Sequence, residues 1–225
     1  MEKEIKKLMR KYPDLESCFP AIILTVEALA AAYRKGGKIL VCGNGGSAAD
    51  SEHIVGELMK GFMMRRPVSD EVRVKLETAF PGEGDYLANH LQGALPAISL
   101  VSQTAVSTAF ANDVAPDMVF AQQVFGYVKP GDAVIGISTS GSSKNVVYAL
   151  QVAKALGATA IGLTGGDGGR MKDICDVTIC VPYNSTPDIQ ERHLPIYHAI
   201  CIALEEEFFS DSETAFPRST DTCGA

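Results

Sequence analysis

The chain has 225 residues, 46% of them hydrophobic, with a formal net charge of −7 and a pI of about 5.1. That length suits one α/β domain with a substantial core, and the acidic balance excludes a nucleic-acid surface or a polybasic membrane patch. Any phosphate it binds must be held by backbone amides, hydroxyls or a metal. The start, Met1-Glu2-Lys3-Glu4, is charged throughout and does not read as a signal peptide. Apolar runs such as residues 21–26 are interrupted short of a membrane span. Six cysteines (Cys18, Cys42, Cys175, Cys180, Cys201, Cys223) show no C-x-x-C spacing and read as small packing residues of a reduced, cytoplasmic protein.

In chain order, residues 15–35 read as a long apolar helix with Pro20 near its start and Gly36-Gly37 ending it. So apolar a helix outside a sheet suggests a helix–helix interface as well as the core. Five apolar, β-branched segments follow, at 38–42, 97–101, 133–137, 159–163 and 177–181. Their unbroken hydrophobicity suits strands covered on both faces, and helical patterns such as 145–156 lie between them. This rhythm predicts a doubly wound parallel sheet with ligand loops at the carboxyl ends of its strands. Between the first two strands, Ser69 or Asp70 caps a short helix, Pro81-Gly82-Glu83-Gly84 forms a turn, and a second short helix covers 85–91. Two helices around a turn at the sheet edge, packed on another subunit near a ligand site, compete here with a plain surface decoration. The last helix opens near Asp188, where Pro195 should kink it. The polar tail, 210–225, reads as loosely ordered.

Chemistry concentrates at strand ends. Gly43-Asn44-Gly45-Gly46-Ser47 joins the first strand to a helical run. A glycine-rich strand-to-helix turn presents backbone amides at the positive end of the helix dipole. A tight turn with a serine cap is the simpler reading, but three glycines in four positions exceed what a cap needs. Ser138-Thr139-Ser140-Gly141-Ser142-Ser143 follows the third strand, and five hydroxyls before a helix suit a phosphomonoester dianion. Thr164-Gly165-Gly166-Asp167-Gly168-Gly169, after the fourth strand, divides evenly between a third ligand loop and a flexible turn. His53 and Glu57 are four apart on the helix that leaves the first loop and share a face. Such a pair holds a divalent metal or places an acid/base beside a ligand. His198 precedes an apolar run and, taken alone, reads as a core histidine.

Taken together, these pieces resemble the sugar isomerase (SIS) domain family, in the branch that isomerises seven-carbon sugar phosphates. The matching residues are Gly43 to Ser47 with Asp50, His53 and Glu57; Asn112-Asp113; Ser138 to Gly141 with Ser143; Leu163-Thr164-Gly165 with Asp167-Gly168-Gly169 and Met171; and Ile189-Gln190-Glu191 with His198. The resemblance implies a three-layer αβα sandwich on a five-stranded parallel sheet with extra N-terminal helices. One such domain would fill 1–209, with a helical segment at 1–36 and an insertion at 68–95. It implies a homotetramer whose sites lie at subunit interfaces. Asn44, Gly45, Gly46, Ser47, Asn112, Asp113, Ser138, Thr139, Ser140, Ser143 and Gln190 would contact the sugar phosphate. His53, Glu57, Gln190 and His198 would hold one zinc ion, with Glu57 and His198 as the catalytic acid/base pair. The implied reaction takes sedoheptulose 7-phosphate to glycero-manno-heptose 7-phosphate through an enediol. The chain departs from the family in the stretch 68–95 and in Pro195.

Two rivals compete. A non-catalytic SIS regulator that senses a sugar phosphate, or a protein-interaction module, would keep the phosphate loops and lose the acid/base residues, both of which are present. A dinucleotide oxidoreductase is suggested by G-x-G-x-x-A in Gly43 to Ala48. That reading needs a second strand ending in an acidic residue about twenty positions on, where the chain has Met63-Met64-Arg65-Arg66-Pro67.

Overall fold

The computed structural model describes residues 2–210; the tail beyond them, with Cys223, lies outside the described residues. Five strands, β1 (Ile39–Gly43), β2 (Ala97–Ser99), β3 (Ala133–Ile137), β4 (Thr159–Gly165) and β5 (Val177–Val181), form one all-parallel sheet in the order β2-β1-β3-β4-β5. Alternate residues of each strand feed two separate cores. Ile39, Val41, Ile135 and Leu163 face α1 (Glu2–Lys11), α2 (Phe19–Arg34), α3 (Gly46–Met59) and α10 (Thr186–Phe209). Leu40, Cys42, Val134 and Ala160 face α7 (Val119–Tyr127), α8 (Lys144–Ala155) and α9 (Met171–Ile174). Burial on both faces is why the strands read as continuous apolar runs. The fold is a three-layer αβα sandwich.

Several expected boundaries move for local reasons. The first long helix begins as a 3₁₀ turn, Pro13–Cys18, before α2. Within Pro13–Arg34 an 18-residue window has mean hydropathy 1.6, enough by length and composition to cross a membrane, which corrects the expectation that the apolar runs fall short of that length. Only Glu27 is charged between Phe19 and Tyr33. The apolarity is used internally, because Ile22, Val26, Leu29 and Ala30 are buried in the core of this domain. Residues 68–95 hold α4 (Asp70–Ala79) and α5 (Gly84–His90), with Ser69 Oγ capping α4 through Val72 N at 3.4 Å. Arg73 ties the two helices by donating to Asp85 and Asn89 at 3.1 and 2.8 Å. α10 runs as one helix through Pro195.

One buried ion pair organises the segment after α3. Arg66 and Glu205 side chains are both 0% exposed and meet at 2.8 Å. Arg66 also donates to the carbonyls of Leu58 and Glu57 at 2.7 and 3.1 Å, so it satisfies the open C-terminal end of α3. Glu205 accepts from Phe62 N and Met63 N at 2.8 and 2.7 Å. Every strong bond of the pair is answered, the condition under which a buried ion pair is tolerated. Glu205→Ala strands the Arg66 charge and is expected to cost about 3–5 kcal/mol of unfolding free energy, read by urea denaturation; a loss below about 1 kcal/mol would contradict this role.

His193, also fully buried, sits on α10 with Nε2 3.3 Å from the Thr164 carbonyl. A carbonyl only accepts, so Nε2 carries the proton, and burial holds the imidazole neutral with its pKa down to about 4 from 6.5. Between those values the unfolded chain binds a proton that the folded chain refuses, so stability falls as pH drops. Unfolding free energy is expected to fall by up to about 3 kcal/mol across that window, and His193→Asn should remove that part of the slope.

Candidate active site

The strand order places a switch point between β1 and β3, whose following segments depart to opposite faces of the sheet. In open α/β sheets, ligands bind outside the carboxyl ends of the strands at this point. The two loops leaving these strands are the Gly43–Ser47 and Ser138–Ser143 motifs, and a mutual pair of 2.9 Å amide bonds between Asn44 and Asn145 ties them together. α3 begins at Gly46 and α8 at Lys144, so two helix N-termini adjoin one crevice. Ser143 occupies the N-cap position of α8 without capping it; its hydroxyl turns to Ser138 Oγ at 2.9 Å. Ser138 Oγ lies 3.4 Å from Ser140 Oγ, which accepts from Ser142 N at 3.3 Å. These neutral donors form a compact cradle that suits a dianion. Gly46 is required by close approach, since a Cβ there would stand 2.6 Å from Gln190 Nε2. Gly141 has φ +61°, and a Cβ would collide with the Gly168 carbonyl.

The third glycine loop serves the second. Gly165 N donates to Thr139 O at 3.2 Å, Met171 N to Gly141 O at 2.9 Å and Arg170 N to Ser142 Oγ at 3.3 Å. These contacts match neither a ligand loop nor a flexible turn: the segment backs the hydroxyl loop. Asn112 and Asp113 end α6 (Thr104–Asp113), where Asn112 Nδ2 donates to Asp113 Oδ1 at 2.8 Å. Among the described residues no hydrogen bond joins them to either phosphate loop.

Two turns along α3 from Gly46, a titratable cluster forms. His53 Nε2 is 3.2 Å from Glu57 Oε1 and 3.4 Å from His198 Nε2, so α10 delivers the second histidine to the pair that spacing placed on α3. The His53 and His198 rings meet edge to face, and Phe62 covers His198 with ring centroids 5.3 Å apart. Burial lowers the His198 pKa, the neighbouring His53 lowers it further, and Glu57 acts against both. Gln190 lies eight residues before His198, about 12 Å along the helix, with its amide against Gly46. His53, Glu57 and His198 therefore gather, while Gln190 sits at the Gly46 end.

Tyr197, Arg66 and Glu205 carry no functional reading in the sequence, and Asp50 enters there only as a motif residue without a role. Tyr197 places its hydroxyl 2.9 Å from His53 Nδ1 and 3.2 Å from Asp50 Oδ1. Burial raises the Asp50 pKa, against the Tyr197 bond and the His53 charge. Asp50, His53 and Glu57 form an i, i+3, i+7 stripe, the signal that would have included Asp50. Arg66 and Glu205, which bind the backbone just beyond Glu57, carry no such signal.

Comparison with known proteins follows this geometry. Two SIS domain models match, over residues 3–86 and 102–204. The chain is 43% identical over 216 residues to a phosphoheptose isomerase of Geotalea daltonii, covering 94% of this chain and 99% of the relative. It is 40% identical over 208 residues to that of Trichlorobacter lovleyi, covering 92% and 93%. Its fold is similar to the solved phosphoheptose isomerases of Neisseria gonorrhoeae (TM-score 0.67, 31% identity, 91% and 93% of the two chains) and Francisella tularensis (TM-score 0.71, 30% identity, 87% and 91%). The chain belongs to the SIS domain family, and its near-full-length relatives there are phosphoheptose isomerases.

Proposed function

We propose that this protein is an aldose–ketose isomerase that interconverts sedoheptulose 7-phosphate and glycero-manno-heptose 7-phosphate. The observation that carries the reading is the placement of His53 and Glu57 on the helix that leaves the phosphate loop, with His198 brought beside them by α10. Gly46 and His53 are seven residues apart, about 10 Å along α3. An extended seven-carbon chain with its terminal phosphate also spans about 10 Å, at roughly 1.25 Å per bond projected from 1.5 Å bonds. A phosphate anchored between the loops thus sets the first two carbons of an open-chain heptose beside the cluster. Full-length relatives named phosphoheptose isomerase support the same substrate.

In the ketose, C1 carries the proton to be moved and C2 the carbonyl. Glu57 takes the C1 proton, the C1–H electron pair forms the C1=C2 bond, and O2 gains a proton to complete the enediol. Loss of the O1 proton then forms the C1 carbonyl while C2 receives the proton held by Glu57. His198 moves the proton between O1 and O2. A lowered pKa keeps its imidazole neutral near pH 7, where one ring nitrogen donates and the other accepts. The rival regulator would have no use for this cluster. Glu57→Gln and His198→Asn are each expected to lower kcat at least about a hundredfold, measured as aldose formation from the heptulose phosphate. Near-normal turnover by either folded variant would remove that residue from the mechanism.

A zinc ion and a tetramer belong to the same proposal. Among the described residues, no group of three or more His, Cys, Asp or Glu side chains is placed to hold a metal ion. The donor types nevertheless fit: His53 Nε2 stands 3.2 Å from Glu57 Oε1 and 3.4 Å from His198 Nε2, near the roughly 3.3–3.5 Å between ligands of a tetrahedral ion with 2.0–2.1 Å bonds. His53, Glu57 and His198 would hold the ion, and it would polarise the sugar oxygens; the Gln190 amide, expected as the fourth donor, rests against Gly46 instead. For the assembly, Val106, Val114, Phe125 and Tyr127 on or beside α6 and α7 are exposed apolar side chains that further copies would cover. Asn112 and Asp113 adjoin that surface and would then reach the site of a neighbouring copy. The five cysteines among the described residues are free, in agreement with a cytoplasmic setting. Native mass spectrometry of protein prepared without chelator is expected to show four chains carrying one zinc each. A metal-free species with full activity in chelator would remove the ion, and a monomer would remove the assembly.

A further inference from the structure

The Tyr197 hydroxyl is 2.9 Å from His53 Nδ1 and 3.2 Å from Asp50 Oδ1, yet it owns a single proton. Tyr197 is 3% exposed and its ring packs edge-on to both His53 and His198, so the hydroxyl is held in place by its own burial. Two arrangements of protons are possible. In one, Tyr197 donates to Asp50 and accepts from a protonated His53 Nδ1, which leaves a lone pair on Nε2. In the other, Tyr197 donates to Nδ1, the His53 proton sits on Nε2 facing Glu57, and Asp50 loses its tyrosine donor. An ionised carboxylate has only acceptors, whereas a tyrosine hydroxyl both gives and takes. With His53 neutral, the first arrangement satisfies all three groups in line, Nδ1–H to Oη and Oη–H to Oδ1; the Nε2 lone pair then accepts from His198 Nε2 at 3.4 Å and forgoes a bond to Glu57 Oε1 at 3.2 Å.

We infer that Asp50 and Tyr197 are positioning residues that fix His53 in the Nδ1-protonated tautomer and aim an unprotonated Nε2 at the Glu57–His198 end of the site. The ring nitrogen that meets the cluster is then always a lone-pair donor, ready to take a cation or a proton, and the ring cannot turn without breaking the tyrosine bond. A hydrogen bond to the far nitrogen of an imidazole is the usual means of selecting which nitrogen reacts. Here a tyrosine stands between the imidazole and its carboxylate, so the selecting charge sits one side chain further from the reacting groups. The inference rests on the isomerase reading only for its consequence; the tautomer itself is a property of the folded chain.

The chain has four histidines, so its imidazole spectrum is small and each signal is assigned by single substitution. Histidine-labelled, chelator-treated full-length protein, studied by long-range proton–nitrogen NMR at about pH 8, above the usual imidazole range, is expected to show His53 protonated at Nδ1. In Tyr197→Phe, which preserves the ring packing, and in Asp50→Ala, which removes the acceptor, that preference is expected to be lost. Zinc affinity measured by chelator competition should fall about 10–100-fold in Tyr197→Phe. His53 protonated at Nε2 in the unsubstituted protein, or an unchanged tautomer and affinity in Tyr197→Phe, would overturn the inference. A protein that shows the expected tautomer and its loss, but isomerises no heptose phosphate, would overturn the isomerase reading alone. One that isomerises with an Nε2-protonated His53 would overturn this inference alone.

Discussion

The site depends on the register between α3 and α10, which run side by side in the same direction and are pinned at three heights. At the N-terminal end, the Gln190 amide packs against Gly46, where any larger residue would push the helices apart. Two turns on, Tyr197 and His198 meet Asp50 and His53. At the far end, Glu205 accepts from the backbone just past α3 and pairs with Arg66, which holds the last carbonyls of that helix. Intervals of eight and seven residues on α10 thus match seven and nine residues along the other chain segment. A slip of one residue in either helix rotates its side chains by about 100° and would scatter the cluster while leaving the sheet intact. The register is set by steric fit at one end and a buried charge pair at the other, with the reactive groups between two fixed points.

The phosphate end is built with a different kind of economy. A chain with net charge −7 holds its proposed dianion without a lysine or arginine in either loop motif. Two helix N-termini and a set of serines do the work, because the topological switch between β1 and β3 opens both helices onto one crevice. Neutral donors must be placed closely to replace a cation, which explains the third loop. Its glycines let the backbone of 165–171 lie directly against Thr139, Gly141 and Ser142, holding the hydroxyls in one arrangement.

Much of this was legible in the sequence, and the reasons for the rest are specific. Strands buried on both faces announce themselves, so all five were found, with errors only where the edges differ. β2 stops at Ser99 because it is an edge strand with a single neighbour, and β4 runs on to Gly165 because β5 pairs with it as far as Val181. The loops and the His53/Glu57 pair are local patterns and were visible as such. The residues that pin the register were not. Glu205 lies in the acidic run Glu205-Glu206-Glu207 and reads as solvated surface, while Arg66 sits 139 positions away beside Arg65 and reads as half of an exposed basic pair. Tyr197 precedes an apolar run and reads as an ordinary core aromatic. Such residues act through partners that only the tertiary fold supplies, and nothing in their neighbours records it.

The helical hairpin of 68–95 shows how a fold accepts a long insertion so close to its chemistry. Its outer helix, α4, buries no side chain, so the hairpin adds little to the core. What it has is a closed base. Pro67 bridges to Gln92, Gln92 Oε1 accepts from Gly61 N at 2.7 Å, and Gly93 N donates to Arg66 O at 2.6 Å. With its ends already together, the added chain costs only the slow growth of loop entropy with length, and Arg73 joins the two helices internally. The base is fastened to the same Arg66 that caps α3 and pairs with Glu205. The insertion therefore leaves the helix register undisturbed because it grows from the most firmly held point of the segment between Glu57 and β2.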